Sequence, residues 1–221
     1  MPRSVTTLNA HLSCVYQAVF SPHQPDIIAT CSTDGTMKIF DLRSPAYATG
    51  PATNAFTRPL SAAVLTVPAS GAELITLDWN KYRPFVLATA GVDKMVKVWD
   101  CRMVQNAQPG AQAVGGLCEV QLPGHEYGVR KVQWSPHRPD ILATASYDMT
   151  CRMYVNSCNR YKYRQSNAVC RWSTNPTAGG SNLLRVHDSH TEFVAGCSWS
   201  LYDEGLLASC GWDGKLCVFR A

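Results

Sequence analysis

A chain of 221 residues, 46% hydrophobic and 16% charged, is sized and balanced for one sizeable core or two small ones, which excludes a disordered tail. Its formal net charge of +4 is too small to steer it toward nucleic acid or an anionic membrane surface. It holds no apolar run of the roughly eighteen residues a membrane helix needs, and its start, MPRSVTTLNA, lacks the apolar core of a secretory signal; the expectation is a soluble, non-secreted protein with no membrane insertion.

The elements repeat along the chain. A short apolar run, VTTL (5–8), precedes a frame that begins at His11 and extends to about 43. A connector rich in Ala, Pro, Thr and Gly (44–61) leads to AAVLTV (62–67) and a second frame, about 70–102. After a Gln-, Ala- and Gly-rich connector (103–116), LCEVQL (117–122) introduces a third frame, about 125–155. Beyond 156–181, NLLRV (182–186) introduces the fourth, about 190–220. Counted from His11, Ser70, His125 and His190, the frames match without gaps. Nine residues on stands an aromatic (Phe20, Trp79, Trp134, Trp199), eighteen on Ala29, Ala88, Ala143 and Ala208, and twenty-three on Asp34, Asp93, Asp148 and Asp213. A second aromatic follows at twenty-nine: Phe40, Trp99, Tyr154, Phe219.

In the third frame VRKVQWS, DILATAS and TCRMYV read as three short strands, separated by the turns SPHRPD and SYDMT. Four runs per unit, with a His near the first turn, an Asp in the third and an aromatic–Asp close (FD at 40–41, WD at 99–100), predict WD40 β-propeller blades. The expected fold is all-β, one propeller segment with four blades present. WD40 rings commonly close at seven, so the segment reads as part of a seven-bladed propeller, with VTTL as the outer strand of a preceding blade; a closed four-bladed ring is the alternative.

In such blades the His, the turn Asp, a Ser/Thr of the second strand and the Trp form a buried hydrogen-bonded set. The candidates are His11, Ser32 and Asp34; Asp93 and Trp99; His125, Ser146 and Asp148; and His190 and Asp213. No frame holds all four members: the third has Tyr154 for Trp, and the second has Ser70 and Gly91. A catalytic His125–Asp148 pair would need a nucleophile held by that histidine. Recurrence of the pair in three frames favours structure. No G-x-S-x-G, H-E-x-x-H, P-loop or dinucleotide glycine pattern occurs, so no enzyme is expected.

Ten cysteines are scattered through the chain without a C-x-x-C, several in apolar runs (Cys31, Cys151, Cys197, Cys210, Cys217). They read as small buried hydrophobes, and no disulfide framework, metal or cofactor is expected. The connector 156–181 interleaves Arg160, Lys162, Arg164 and Arg171 with Tyr161, Tyr163 and Trp172, which could stack on RNA. With so small a net charge it reads as a solvated loop, and no nucleic-acid partner is expected.

Between the shared positions, LDWNKYRPFVLATAGVDKMVKVWD (77–100), GHEYGVRKVQWSPH (124–137), SYDMTCRMY (146–154) and HTEFVAGCSWS (190–200) resemble the C-terminal half of the receptors for type 2 peroxisomal targeting signals, a WD40 peroxin family. DWNKY, HTEF and AGVD carry more of this likeness than the blade pattern requires. The resemblance implies a cytoplasmic shuttle that cycles to the peroxisome. It would grip an N-terminal cargo helix of the form Arg/Lys, Leu/Val/Ile, five residues, His/Gln, Leu/Ala, and with a co-receptor peroxin hand it to the peroxisomal docking complex. The family carries three further blades upstream of those matched here.

The upper face of such blades is lined by residues just after the His position and beside the repeated Asp. Those are Glu73; Glu126 and Tyr127; Glu192 and Phe193; and Val92, Tyr147, Met149 and Trp212. Three carboxylates, four aromatics and two aliphatics around one mouth complement an amphipathic helix with a cationic head. An exposed carboxylate–Arg pair contributes about 0–1 kcal/mol, whereas truncating a buried aromatic anchor costs about 2 kcal/mol or more. The acids are expected to orient the helix and the aromatics to hold it. The competing reading is a generic WD40 adaptor of a ubiquitin-ligase or chromatin complex, with the same fold and another ligand.

Overall fold

The computed structural model describes residues 7–43, 63–105, 113–155 and 182–220, and every regular element among them is a strand. The first antiparallel sheet is β1 (Val15–Phe20), β2 (Ile27–Ser32), β3 (Thr36–Asp41) and β4 (Leu65–Pro68). The second is β5 (Leu74–Trp79), β6 (Val86–Gly91), β7 (Val96–Gln105) and β8 (Val114–Leu122). The third is β9 (Val129–Trp134), β10 (Ile141–Ser146), β11 (Cys151–Val155) and β12 (Leu183–His187). The fourth has three strands, β13 (Val194–Trp199), β14 (Leu206–Gly211) and β15 (Leu216–Arg220). These are four propeller blades whose inner strands β1, β5, β9 and β13 pack each on the next.

The fourth strand of each blade comes from the following frame. β4, β8 and β12 hydrogen-bond to β3, β7 and β11, so the run that precedes a frame completes the blade before it. β4 and β8 also meet at one parallel bridge, Thr66 with Val114. The first run departs from expectation: Thr7 and Leu8 lie in no strand, and Leu8 packs on Ala10, Phe40 and Ala63. The rest of that run, most of the three connectors and the whole basic stretch 156–181 lie outside the described residues.

Burial follows a blade's place in the stack. β5 and β6 are buried at every residue because the second blade has a neighbour on both faces, which is why they read as near-continuous apolar runs. β1 and β15 alternate between exposed and half-buried residues, each on a face without a neighbouring blade among the described residues. The core lies between blades. Met37, Leu65 and Val67 meet Leu74, Leu77 and Trp79 at the first joint; Val86, Val98 and Leu122 meet Val132, Trp134 and Leu142 at the second. Met153 and Ala145 meet Cys197, Trp199 and Leu207 at the third. Fully burying a side chain of this size contributes about 1.5–3 kcal/mol, so these joints carry much of the stability.

The cysteines divide along the same line. Cys31, Cys151 and Cys197 are buried free thiols, as expected, and burial pushes the thiols of Cys31 and Cys101 up to about 12, where they are inert. Cys210 and Cys217 correct the expectation: Cys210 is exposed and Cys217 half-buried, because among the described residues no blade covers one face of the fourth.

Candidate functional site

The four repeated aspartates occupy equivalent turns on one side of the blades. Oδ1 of Asp34, Asp93, Asp148 and Asp213 accepts the N–H two residues on, from Thr36, Met95, Thr150 and Lys215. The residue before each Asp donates its N–H to the third residue after the frame start: Thr33 to Cys14, Val92 to Glu73, Tyr147 to Gly128 and Trp212 to Phe193, at 2.9–3.1 Å. The residue after each Asp has positive φ: Gly35 and Gly214, but also Lys94 (65°) and Met149 (66°). A non-glycine side chain held there costs about 1–3 kcal/mol, so two blades accept strain and thereby place a side chain on this face.

Beneath the turns lies the predicted polar set, with one correction. His125 Nδ1 is 2.7 Å from Asp148, but Nε2 meets Thr144 Oγ1 at 2.7 Å rather than Ser146. Likewise His11 meets Asp34 and Thr30, not Ser32, and His190 meets Asp213 and Ser209. Ser32 and Ser146 instead receive the N–H of Asp34 and Asp148, and Ser146 donates to the carbonyls of Tyr127 and Gly128. In the second blade Ser70 donates to Asp93, Lys97 bonds the same carboxylate, and Thr89 receives the Trp99 indole N–H. In the third, Tyr154 takes the indole's place, edge-on to His125.

Burial raises the Asp34 carboxyl, but hydrogen bonds from Thr36, His11 and Leu12 outweigh it and hold the group at about 2. Asp213 is held at about 2 as well, burial again opposed by Lys215, His190 and Thr191, and Asp148 lies well below the usual carboxylate range. Asp–His–hydroxyl is also the order of a hydrolase triad. Here the hydroxyls are sealed, Thr144 at 0% and Ser209 at 1% exposure, so the nucleophile has no path to a substrate.

The expected binding residues separate into a row and a scatter. Tyr147 and Phe193 lie edge-to-face at 5.2 Å, and Phe193 and Trp212 repeat the contact at 5.2 Å, making a ladder across the third and fourth blades. Trp212 is 68% exposed. A methyl group added at Gly128 would touch the backbone of Val92 at 3.5 Å and the Tyr147 ring at 3.6 Å, so the turn that carries Val92 comes close to this row. Tyr127 and Met149 are exposed near it, and Lys94 holds its ammonium 5.9 Å from the Tyr127 ring. Glu73, Glu126 and Glu192 are exposed but stand third, first and second after their frame starts, so the acids do not form a ring of equivalent positions. Lys94, absent from the expected set, puts a positive charge beside Tyr127; its signal in the sequence is a non-glycine at the corner that is glycine in two frames.

DWNKY proves to be a joint between blades. Asp78 accepts the Trp134 backbone N–H at 2.8 Å, Asn80 donates to the Pro139 carbonyl and Tyr82 to the Pro136 carbonyl, each at 2.8 Å. Gln17 and Gln133 accept inner-strand N–H groups of the next blade in the same manner, from Leu77 and Trp199. The position of Tyr82 recurs as His23 and His137, which reach the carbonyls of Asn80 and Ser200 at 3.0 and 3.1 Å.

Comparison with known proteins agrees with this architecture. The family description "WD domain, G-beta repeat" matches residues 2–41, 63–100, 116–154 and 181–220. The chain is 37% identical over 228 residues to a peroxisomal targeting signal 2 receptor of Saccharomyces cerevisiae, covering 99% of this chain and 56% of that protein. It is 37% identical over 213 residues to the receptor of that name from Komagataella phaffii (96% and 51%), and 26% identical over 226 residues to that of Schizosaccharomyces pombe (100% and 56%). The chain thus spans about half the length of these curated relatives.

Proposed function

The chain belongs to the WD40, G-beta repeat family, and from that premise we propose that it supplies blades of a receptor for the N-terminal type 2 peroxisomal targeting signal. With a co-receptor peroxin, the receptor would take cargo from the cytoplasm to the peroxisomal docking complex for import into the matrix. The observation that carries this reading is 37% identity across 99% of the chain to a peroxisomal targeting signal 2 receptor. The row from half-buried Tyr147 through Phe193 to exposed Trp212 supports it, since an apolar helix stripe needs such a surface. The reading is non-catalytic: the Asp–His–hydroxyl sets are repeated and buried.

The test is fluorescence anisotropy of a labelled peptide carrying the signal, titrated with the 221-residue chain alone and together with a co-receptor peroxin. Saturable binding is expected in at least one arm, lost when the leading Arg and Leu of the peptide are both replaced by Asp. Equal binding of both peptides, or of neither in both arms, overturns the proposal.

A further inference from the structure

We infer that the fourth blade carries a binding site for a zinc-class divalent cation, formed by His187, His190 and Cys217. Each offers one ligand atom, and these atoms all lie within 4.8 Å of one another. His187 ends β12, His190 stands in the loop beyond it and Cys217 lies on β15, so the ion would tie the outer strand of the third blade to the fourth blade.

The repeat itself marks the spot. Three residues before the frame start stand Leu8, Val67, Leu122 and then His187; twenty-seven after it stand Lys38, Lys97, Arg152 and then Cys217. In the first three blades the cationic side chain bonds the carbonyl just before the frame start, from Ala10, Ala69 and Gly124, at 2.6–2.9 Å. In the second and third it also pairs with the turn Asp. The fourth blade exchanges both residues together, an apolar one for imidazole and a cation for a thiol. Besides His190, Asp213 has the half-exposed Lys215 as its one Lys or Arg partner among the described residues, at 3.8 Å. A bound divalent ion restores positive charge where the other blades hold Lys or Arg.

The two imidazoles are held in place by their neighbours. His187 Nε2 is buried without a hydrogen-bond partner among the described residues, and its ring is stacked on Phe219 at 3.8 Å. His190 Nδ1 lies 3.1 Å from both oxygens of Asp213, the carboxylate–imidazole arrangement that fixes ligating histidines. Its Nε2 is 2.9 Å from Ser209 Oγ, so ligation through it exchanges that hydrogen bond for the ion. Tetrahedral zinc separates N and S ligands by about 3.4–3.8 Å, so from within 4.8 Å the cluster contracts by at most about 1.5 Å on binding. One thiolate with two imidazoles selects zinc over magnesium or calcium. A search by cysteine spacing cannot find this set, because two ligands are histidines and the thiol comes from a distant strand.

Titration of the reduced, metal-free 221-residue chain with Co²⁺ tests the site. The expected result is a thiolate-to-cobalt charge-transfer band that saturates at one equivalent and is bleached by Zn²⁺. Cys217→Ser abolishes the band, and His187→Leu, the residue type of the first and third frames, weakens binding roughly tenfold or more. Cys217→Lys, which reproduces the other blades, abolishes it while melting at the temperature of the metal-free wild type. No band in the wild-type chain overturns the site, whatever the variants do; a band unchanged in Cys217→Ser overturns it by assigning the metal to another thiol.

Discussion

Thr144 Oγ1 lies 2.7 Å from His125 Nε2, two residues before the serine that the blade pattern singles out. Both atoms are buried, so removing the hydroxyl strands a ring nitrogen, at a cost of about 1–3 kcal/mol. Thr144→Val is therefore expected to lower the urea midpoint by that equivalent, whereas Thr144→Ser, which keeps the hydroxyl, loses less. Indistinguishable midpoints for Thr144→Val and wild type would show that the contact contributes nothing.

Acid should weaken the fold in two stages. Burial lowers the pKa of His11 and outweighs the raising effect of Asp34, so the unfolded chain binds the proton first and stability declines as pH falls below about 6.5. Asp34, Asp148 and Asp213 are depressed relative to the unfolded value of about 3.9, so the stability they confer is complete above about pH 4 and is lost as pH falls toward 2. Calorimetry from pH 8 to 2.5 should give a shallow fall in Tm and then a steep one. Asp34→Asn should lower Tm at neutral pH and shrink the steep limb. A Tm constant between pH 7 and 3 contradicts the assignment.

On the exposed face, aromatic contact should outweigh charge. Phe193→Ala and Tyr127→Ala are each expected to weaken signal-peptide binding by about 2 kcal/mol, roughly thirtyfold, and Glu126→Gln by under about 1 kcal/mol. Isothermal calorimetry with the peptide and co-receptor separates these outcomes. Three variants equal to wild type would remove this face from the binding reaction.

Met149 is held at a φ of 66°, where two other frames use glycine. Met149→Gly should raise stability by about 1 kcal/mol and lower peptide affinity, because relief of strain and loss of an exposed contact go together. Chemical denaturation measures the first and anisotropy the second. Lower stability in the glycine variant would mean that the thioether packs more than the strain costs.

The strands and the equivalent aspartate turns were legible because period-two runs and turn residues recur at fixed offsets. Thr144 and Ser146 were not separable that way: two residues apart on one strand, they face the same side. The joints escaped notice because Asp78 and Gln133, which share one frame position, differ in residue type, while Gln17 does similar work from two residues earlier in its frame. The acids are the opposite case: alike in type, they fall on three different loop positions. Burial of Cys210 and Cys217 was misjudged because a blade's apolar run does not say whether another blade covers it.

The arms of His23, Tyr82 and His137 all point toward the next blade in chain order. Cohesion therefore passes between neighbours only, as along a row of linked carriages. Among the described residues the second and third blades are coupled on both sides and the first and fourth on one, so unfolding of these four blades should begin as peeling from the first or fourth. Amide exchange should be slowest in β5 and β6, and a cut at one coupling should loosen the blade beyond it before it disturbs those behind.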